Sequence, residues 1–294
     1  MDGILNVRKP VGPTSHDVVA MLRRLSGQRR IGHAGTLDPA ASGVLLLCLG
    51  KATRVLEYMA NYDKEYCAEV RFGFATDTYD AEGSPLGEPV APSFDRPQLA
   101  AALASFEGSS EQVPPAYSAL KVGGQPAHRL ARAGHSVALA ARRVDIASIN
   151  LLQWQPPYAV FLVRCGKGTY VRSLAHDLGQ RLGCGAHLSG LCRTASGPFH
   201  LRDAASLAQL HVAFTEGFAE QFVHAADEAM LQLPVALLGN GSVRRVTQGQ
   251  AWQGPQEADA PVCRAYDASG SMVALLHQAA PGLWQPRKVF AGGS

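Results

Sequence analysis

The feature that most constrains the fold is a tight turn that carries one carboxylate and runs directly into an apolar segment. The turn reads Gly-Thr-Leu-Asp-Pro over residues 35–39, and the apolar segment covers residues 44–49. Gly35 permits backbone angles that other residues avoid, while Pro39 fixes its own φ and biases Asp38 towards an extended conformation. An isolated Asp-Pro pair more often forms an Asx turn or a helix cap. Here the apolar segment anchors the turn in a core, which predicts that Asp38 is held rigidly at a site for chemistry.

Length and composition predict a globular protein with one large and one small domain. The chain has 294 residues, more than a usual single domain, of which 47% are hydrophobic and 17% are charged. The apolar segment is far too short to span a bilayer, for which about 20 residues are needed. The N-terminus has an amphiphilic strand pattern in place of a basic, apolar signal sequence, so we expect a cytoplasmic protein without a membrane segment.

The cysteines predict neither disulfides nor a metal centre. Six cysteines are spread through the chain without a Cys-x-x-Cys pair, which in a large, unexported chain argues for reduced thiols. Cys184, His187 and Cys192 could supply three metal ligands. A closed zinc site needs four, however, and no second Cys/His pair at suitable spacing follows. We therefore expect no bound metal.

One segment is basic although the chain as a whole is nearly neutral. The net charge is only +3, which by itself does not predict a nucleic-acid-binding protein. Between residues 112 and 144, however, there is no acidic residue. The basic side chains of this insert are Lys121, Arg129, Arg132, Arg142 and Arg143, together with His128 and His135. Most surface segments of that length mix charges, so the insert predicts contact with a polyanion, the alternative being a solvated face.

Apolar periodicity predicts a mixture of strands and helices. Residues 4–8 and 65–74 show strand patterns, whereas Ser15 precedes apolar residues at helical spacing and is expected to cap a helix. Two further strands and a helix are predicted over residues 144–152, 159–165 and about 169–182. Because no regular crossover helices separate successive strands, the sequence predicts an α+β domain built on a mostly antiparallel sheet.

The character of the sequence changes after about residue 238. Gly-rich turns there separate short apolar segments at residues 243–246, 262–265, 272–276 and 289–290. This pattern is typical of a small β-barrel. We predict a large domain over residues 1–238, which carries the basic insert at about residues 112–144, and a small domain over residues 239–294.

The turn and its surroundings resemble the catalytic motif of TruB-type tRNA pseudouridine synthases. The similarity covers His-Ala-Gly-Thr-Leu-Asp-Pro at residues 33–39 and Ser-Gly-Val-Leu at residues 42–45. Four more segments resemble motifs of that family and occur in its order: Asn-Val-Arg-Lys-Pro at 6–10, Lys-Glu-Tyr at 64–66, Pro-Pro-Ala-Tyr-Ser-Ala-Leu-Lys at 114–121 and Gly-Thr-Tyr-Val-Arg-Ser-Leu at 168–174. The resemblance implies a mixed, mostly antiparallel sheet with the active-site cleft along it. A weaker similarity of residues 243–250 to the start of a PUA RNA-binding domain implies that the small domain is PUA-like.

The resemblance assigns the central catalytic role to Asp38. Pseudouridine formation breaks the bond between uracil N1 and ribose C1′, turns the base and rejoins it through C5. The reaction needs no redox step or energy source, so no cofactor is expected. Asp38 would either attack C1′ or remove the 2′ proton, and the sequence leaves both routes open. Arg172 would keep Asp38 ionised, and Tyr66 would stack on the detached uracil and help to transfer the C5 proton.

The same resemblance implies a set of substrate-binding residues. His33 would enter the space that the uridine leaves when it swings out of its stack. The residues lining the uridine pocket would be Tyr66, Tyr170 and Leu191. The residues lining its mouth and touching phosphates would be Lys9, Pro10 and Lys64.

The resulting hypothesis is isomerisation of uridine to pseudouridine at position 55 in the T-loop of tRNA. The protein would act as a monomer whose partner is the tRNA T-arm, with no protein partner. One alternative is a guide-RNA-dependent synthase that modifies ribosomal RNA, against which the insert over residues 114–143 counts. A second is a non-catalytic RNA-binding or tRNA-folding protein, and the presence of Asp38, Tyr66 and Arg172 argues against such a loss of catalysis.

If the basic insert binds RNA, affinity should fall with added salt because counterions are released from the phosphates. Replacing Arg129 and Arg132 by neutral residues should then lower the slope of log affinity against log salt by about 1 for each phosphate that the insert no longer neutralises. Filter binding of tRNA over a series of salt concentrations measures this slope. An unchanged slope would remove the insert from the RNA interface.

Overall fold

The computed structural model describes residues 1–118, 120–133, 137, 139–256 and 260–290. In the basic insert, His135 lies outside the described residues, as do the side chains of His128 and Arg132. No helix within the described ranges is long and apolar enough to cross a membrane.

Strands and helices are numbered in chain order. The strands are β1 (Gly3–Lys9), β2 (Ile31–Ala34), β3 (Ala41–Leu49), β4 (Lys64–Phe72), β5 (Ala75–Thr76), β6 (Pro85–Leu86), β7 (Gly108–Gln112), β8 (Lys121–Val122), β9 (Gln125–Pro126), β10 (Arg142–Gln155), β11 (Tyr158–Cys165), β12 (Ala186–Ser196), β13 (Phe199–His200), β14 (Ala205–Ser206), β15 (Val223–His224), β16 (Val235–Leu237), β17 (Trp252–Gln253), β18 (Val262–Tyr266), β19 (Met272–Ala280) and β20 (Leu283–Val289). The α-helices are α1 (Ser15–Ser26), α2 (Leu56–Met59), α3 (Arg96–Ala104), α4 (Ala127–Arg132), α5 (Val171–Arg181), α6 (Leu207–Thr215) and α7 (Asn240–Thr247). Short 3₁₀ helices cover Gly50–Val55, Leu201–Asp203, Ala219–Phe222 and Ala226–Met230.

Eleven of the described strands form one large sheet. Its main path runs β14-β1-β3-β12-β4-β11-β10-β7, and β2, β13 and β15 pair with β3, β12 and β1. In the part of the sheet that the structure describes, β1 pairs with β14 and β3 pairs with β12 in parallel, while the other neighbours are antiparallel. The predicted mixed, mostly antiparallel sheet is therefore confirmed.

Two of the apolar cores that pack on this sheet meet close to the turn that carries Asp38. In one core α3 and α5 cover β4, β10 and β11, with Phe72 and Phe161 almost completely buried. In the other, α1 and α6 cover β1 and β3. Tyr66 and Leu191 pack against both cores. The helices of the two cores thus converge on one short stretch of β4 and β12.

The backbones of β3 and β12 approach closely at Gly43, which is paired with Arg193 in the parallel register. Gly43 has a φ of 109°, and a Cβ built on it would lie 2.2 Å from the backbone oxygen of Arg193. Only glycine combines this conformation with so short a distance to another backbone. The parallel junction therefore requires Gly43, and it fixes β12 beside the strand that follows the Asp38 turn.

A second sheet occupies the C-terminal part of the chain, where five described strands run in the order β16-β18-β19-β20-β17. It packs against the segment that follows β3, because Leu275 enters a core with residues of β3 and α2. Lys288 also forms an ion pair with Glu57 at 3.2 Å. This small sheet agrees with the predicted PUA-like domain. Strand β16 precedes the predicted boundary at residue 238 and pairs with β18.

Two local expectations were wrong. Residues 243–246, expected as an apolar segment of the barrel, lie in α7, where Val243 and Val246 are one helical turn apart and both pack on the small core. The cap of α1 is Thr14 and not Ser15, because Asp17 lies three residues after Thr14 and completes a capping box with it. The Ser15 hydroxyl is thereby available for another contact, described below.

The close approach at Gly43 yields a stability prediction with a matched control. Gly12 has nearly the same conformation, with a φ of 112°, but a Cβ on Gly12 would meet nothing within 4 Å. Gly12→Ala should cost about 1–3 kcal/mol through backbone strain alone. Gly43→Ala should cost clearly more, because its Cβ also clashes with backbone atoms of β12. Midpoints of urea unfolding measure the difference, and equal midpoints would show that the junction tolerates a side chain.

Candidate active site

The turn that carries Asp38 lies between β2 and β3 and is held from more than one side. The Gly12 amide donates a hydrogen bond to the Pro39 carbonyl at 2.9 Å. The buried Ser15 hydroxyl accepts from the Leu37 amide at 2.9 Å and donates to the Leu37 carbonyl at 3.0 Å. These bonds fix the backbone on both sides of Asp38, whose side chain remains 48% exposed.

A buried ammonium group supports the same turn. Lys9, at the end of β1, is fully buried and donates to the carbonyls of Ala41 at 2.6 Å, Pro10 at 2.9 Å and Pro39 at 3.5 Å. Burial lowers the pKa of Lys9, while the negative charge of Asp38 opposes that shift. The structure thus places this ammonium group on protein carbonyls beneath the turn.

Arg172 joins Asp38 to two other groups. Its Nη2 lies 2.9 Å from Asp38 Oδ2 and donates to the Tyr117 carbonyl at 3.1 Å. Its Nη1 lies 3.4 Å from Asp80 Oδ2. The guanidinium is largely buried in the first turn of α5, so one fixed cation is shared by two carboxylates. Such a cation can orient the Asp38 carboxylate.

Asp80 is a residue of this site that the sequence analysis did not identify. It lies in the turn between β5 and β6, where Thr76 Oγ1 donates to the Asp80 carbonyl at 2.7 Å and Thr78 Oγ1 donates to Asp80 Oδ1 at 2.5 Å. Tyr79, directly before it, has a φ of 65°, a conformation that is rare for residues other than glycine. The signal in the sequence is a turn rich in Asp and Thr, which alone is typical of an ordinary surface turn.

Tyr66 lies on β4, opposite Arg193 of β12 in the antiparallel register. Burial raises the pKa of the Tyr66 hydroxyl, and the charge of Arg193 opposes that rise. The phenol is therefore protonated at neutral pH. Its ring packs between the two cores, so its orientation is fixed by both.

Arg193 is the second residue that the sequence analysis did not identify. It is 1% exposed, and it donates from Nε to the Val44 carbonyl at 2.6 Å and from Nη2 to the Gly35 carbonyl at 3.1 Å. It makes no ion pair with any carboxylate of the described residues. In sequence it resembles an ordinary polar residue of a strand, because nothing in its neighbourhood indicates burial.

Several of these groups line one cavity of about 320 Å³, near the lower end of the range of about 300–1,000 Å³ that small-molecule pockets occupy. The predicted site residues that line it are Asp38, Lys64, Tyr66, Tyr170, Arg172 and Leu191. Arg193 lines it as well. The predicted residues His33, Lys9 and Pro10 are not among the described residues in its wall.

Two of the predicted binding residues have buried polar groups. The ring of His33 meets His16 edge to face, with 5.7 Å between centroids, and its buried Nδ1 has no hydrogen-bond partner in the described ranges. Burial lowers the pKa of His33, which is therefore neutral at pH 7. Lys64 donates to the carbonyls of Ala60 at 3.1 Å and Tyr62 at 2.5 Å, and burial lowers its pKa too.

The three residues considered as metal ligands are not assembled into a ligand set. Within the described part of the chain, no three His, Cys, Asp or Glu side chains come together in a manner suited to a metal ion. His187 Nδ1 instead lies 3.1 Å from the Phe74 carbonyl.

The contact between Ser15 and the turn can be separated from helix capping by two substitutions. Ser15→Ala leaves the Leu37 amide and carbonyl without their partner, which should cost about 1–3 kcal/mol. It should also slow pseudouridine formation in tRNA by about tenfold or more, because small displacements of a reacting group are costly. Thr14→Ala should cost about 0.5–2 kcal/mol through loss of the cap and leave turnover unchanged. Unfolding midpoints and single-turnover rates measure both effects, and equal rates for the two variants would contradict a role for Ser15 in holding Asp38.

Comparison with known proteins shows the family to which the chain belongs. Residues 23–171 match the family model of the TruB family pseudouridylate synthase N-terminal domain, and residues 172–234 match that of the tRNA pseudouridylate synthase B C-terminal domain. The boundary between the two matches falls next to Arg172.

Individual relatives match over nearly the whole chain. A tRNA pseudouridine synthase B from Geobacillus thermodenitrificans is 41% identical over 301 residues, covering 99% of this chain and 100% of the relative. One from Dehalococcoides mccartyi is 40% identical over 290 residues, covering 99% and 97%. A solved structure of an H/ACA RNP bound to a substrate RNA containing 2′-deoxyuridine is 26% identical, with a TM-score of 0.76 over 99% of this chain and 85% of that chain. The resemblance stated from the motifs is thereby confirmed, and the chain belongs to the TruB family of tRNA pseudouridine synthases.

Proposed function

We propose that this chain converts uridine to pseudouridine at position 55 in the T-loop of tRNA, with Asp38 as the essential residue. The observation that carries the proposal is the half-exposed Asp38 carboxylate, held 2.9 Å from Arg172 in the wall of the cavity. The relatives that are 40% and 41% identical are named tRNA pseudouridine synthase B, which supports tRNA as the substrate.

Asp38 acts at the sugar of the target nucleotide. In one route its carboxylate forms a bond to C1′ as the bond from C1′ to uracil N1 breaks; in the other it removes the 2′ proton while the same bond breaks. Arg172 orients the carboxylate, and Asp80 and the Tyr117 carbonyl hold the guanidinium in place. The reacting group is thus oriented before the nucleotide arrives, which lowers the entropic part of the barrier.

The uracil ring is held by Tyr66, Tyr170 and Leu191, which lie around the same cavity. The Tyr66 ring offers a flat apolar surface on which the detached base can stack while it turns. Because burial raises the pKa of Tyr66, its hydroxyl is a donor at neutral pH. Once the new bond has formed, the hydroxyl relays the C5 proton: the phenol gives its own proton to N1 of the base as its oxygen accepts the proton from C5.

The target base must first leave its stack, and unstacking costs on the order of a few kcal/mol. His33 fills the position that the base vacates, and its neutral state avoids a buried charge among the bases. Phosphate contacts from the basic insert, which includes β8, β9 and α4, provide favourable energy that offsets this cost. Lys64 lines the pocket, whereas Lys9 is fully buried and supports the Asp38 turn through the carbonyls of Pro10, Pro39 and Ala41.

We also propose a domain organisation, an oligomeric state and a cellular location. Residues 1–238 form the catalytic domain and residues 239–294 a PUA-like domain that adds RNA contacts. The protein acts as a monomer on tRNA in the cytoplasm, without a metal or an organic cofactor.

A guide-RNA-dependent activity is the second candidate. It is favoured by one observation, the match in fold to a solved H/ACA RNP with a bound substrate RNA. Against it stand the higher identity and fuller coverage of the tRNA enzymes. A non-catalytic RNA-binding role is disfavoured by the assembled Asp38, Tyr66 and Arg172.

The test is release of tritium from unmodified tRNA that carries tritium at uridine C5. Wild-type protein should release one equivalent of tritium per tRNA, because C5 loses its hydrogen when it bonds to C1′. Asp38→Asn, which is nearly isosteric but can neither attack C1′ as an anion nor accept the proton, should release none. Replacing uridine 55 alone by cytidine should abolish release from wild type.

Two controls make the outcome decisive. Both proteins should bind the tRNA with similar affinity, so that loss of release reports chemistry and not binding. Release that persists after replacement of uridine 55 would overturn the proposed position. No release by wild type from any tRNA, despite binding, would favour the guided enzyme or the binding protein.

A further inference from the structure

Three cations with unusual surroundings lie around the cavity and its supporting turn. They are Lys9, Lys64 and Arg193, which are 0%, 9% and 1% exposed. The two lysines donate to backbone carbonyls, and Arg193 bonds to two carbonyls and to the Tyr66 side chain. Within the described residues none of the three forms an ion pair with a carboxylate, and burial of an ion without such a partner is unfavourable. The chain thus maintains positive charge here at the expense of stability.

The two arginines in the cavity wall differ in this respect. Arg172 is paired with Asp38 at 2.9 Å and with Asp80 at 3.4 Å, so its charge is already balanced. Arg193 meets the Val44 and Gly35 carbonyls, which satisfy two of its nitrogens but do not neutralise the ion. An arginine does not lose its proton under such conditions. The positive potential of Arg193 therefore remains available to a negative charge that develops in the cavity.

The reaction develops such a charge on the base. When the bond between C1′ and N1 breaks, its electron pair leaves with uracil, whichever of the two routes Asp38 follows. The detached base is then an anion until its C5 forms the bond to C1′, after which C5 loses its proton and N1 takes one up. Fixed cations in a site that excludes water are the most effective means of stabilising such a charge. An active site of this kind needs a cation beside the base as well as one beside the carboxylate.

We propose that Arg193 stabilises the negative charge of the detached uracil and is a further catalytic residue, with Lys64 adding to the same field. This rests on the proposed function, since it assigns a residue to one step of that reaction. Arg193 faces Tyr66 across β12 and β4 and lines the cavity with it, so a base stacked on Tyr66 lies beside the guanidinium. Its two carbonyl contacts hold the guanidinium rigidly, as electrostatic stabilisation requires.

The titration behaviour of its neighbours agrees with an unbalanced charge at Arg193. Burial lowers the pKa of Lys64 and of His33, and the charge of Arg193 lowers both further. Burial raises the pKa of Tyr66, and Arg193 opposes that rise. In all three groups burial is the larger cause, and the smaller contribution of Arg193 has the sign expected of a positive charge.

The test compares uridine with 5-fluorouridine at the target position of tRNA. Fluorine withdraws electrons, so the fluorinated base leaves more easily as an anion and depends less on stabilisation by the protein. Single-turnover loss of the N-linked nucleoside, measured by chromatography of nuclease digests, reports this step for both substrates without requiring release of a C5 proton. Arg193→Gln should slow the loss of uridine by about 10²-fold or more. It should slow the loss of 5-fluorouridine less, by a factor at least about fivefold smaller than the factor for uridine.

Two further variants separate charge from structure. Arg193→Lys keeps the charge and should restore much of the rate with uridine. Arg264→Gln is the matched control, because Arg264 is also buried and donates to the carbonyls of Leu231 and Leu233, but it lies in the small sheet. Arg264→Gln should lower the unfolding midpoint without changing the ratio of the rates measured with the two substrates. If Arg193→Gln does not fold, Lys64→Gln replaces it and should show the same substrate dependence at a smaller magnitude.

The outcomes distinguish this inference from the proposed function. If wild type does not convert uridine, the proposed function fails. If wild type converts uridine and Arg193→Gln slows both substrates by the same factor, Arg193 only holds the Gly35 turn and the inference is overturned. We expect Arg193→Gln to bind tRNA with an affinity within about threefold of wild type, because the group acts on the reacting base. Such an affinity would show that the rates report chemistry and not binding.

Discussion

The structure depends on the parallel contact between β3 and β12. Gly43 allows the two backbones to approach at Arg193, and this fixes three strands relative to one another: β3, which carries the Asp38 turn, β12, and β4 with Tyr66. These strands come from distant parts of the sequence, so no local preference can place their side chains together. One short backbone distance therefore decides whether the carboxylate, the phenol and Arg193 share a cavity at all.

The cavity that results is organised by two arginines with different partners. Arg172 is balanced by the carboxylates of Asp38 and Asp80, which makes it suitable for orienting Asp38 and little else. Arg193 is bound by carbonyls and retains an unbalanced charge. Carbonyl partners satisfy the hydrogen-bonding needs of a cation without cancelling its field. Differences in the partners of two similar side chains are thus enough to give them different chemical roles.

The motifs allowed the family, the mixed sheet and the Asp38 turn to be predicted, because each is encoded by a short local pattern. Asp80 and Arg193 could not be predicted in the same way. Their importance comes from contacts with residues about 90 to 150 positions distant, such as Asp80 with Arg172 and Arg193 with Val44, and neither lies in a segment with an unusual pattern. Ser15 was identified for the wrong reason: its residue type suited a cap, but Thr14 with Asp17 provides that cap. Tertiary contacts assign these side chains their roles.

Catalysis and RNA specificity depend on different parts of this enzyme. We propose that the cavity, which is about 320 Å³ in volume, takes one nucleotide of the RNA. A similar fold serves in an H/ACA RNP, while relatives that match over nearly their whole length are named for tRNA. Discrimination among RNAs must therefore arise at surfaces outside the cavity, where phosphate contacts and shape are read. Two such surfaces, the basic insert and the small C-terminal sheet, differ in how closely they are tied to the site, because the Tyr117 carbonyl of the basic insert accepts a hydrogen bond from Arg172, the residue that holds Asp38.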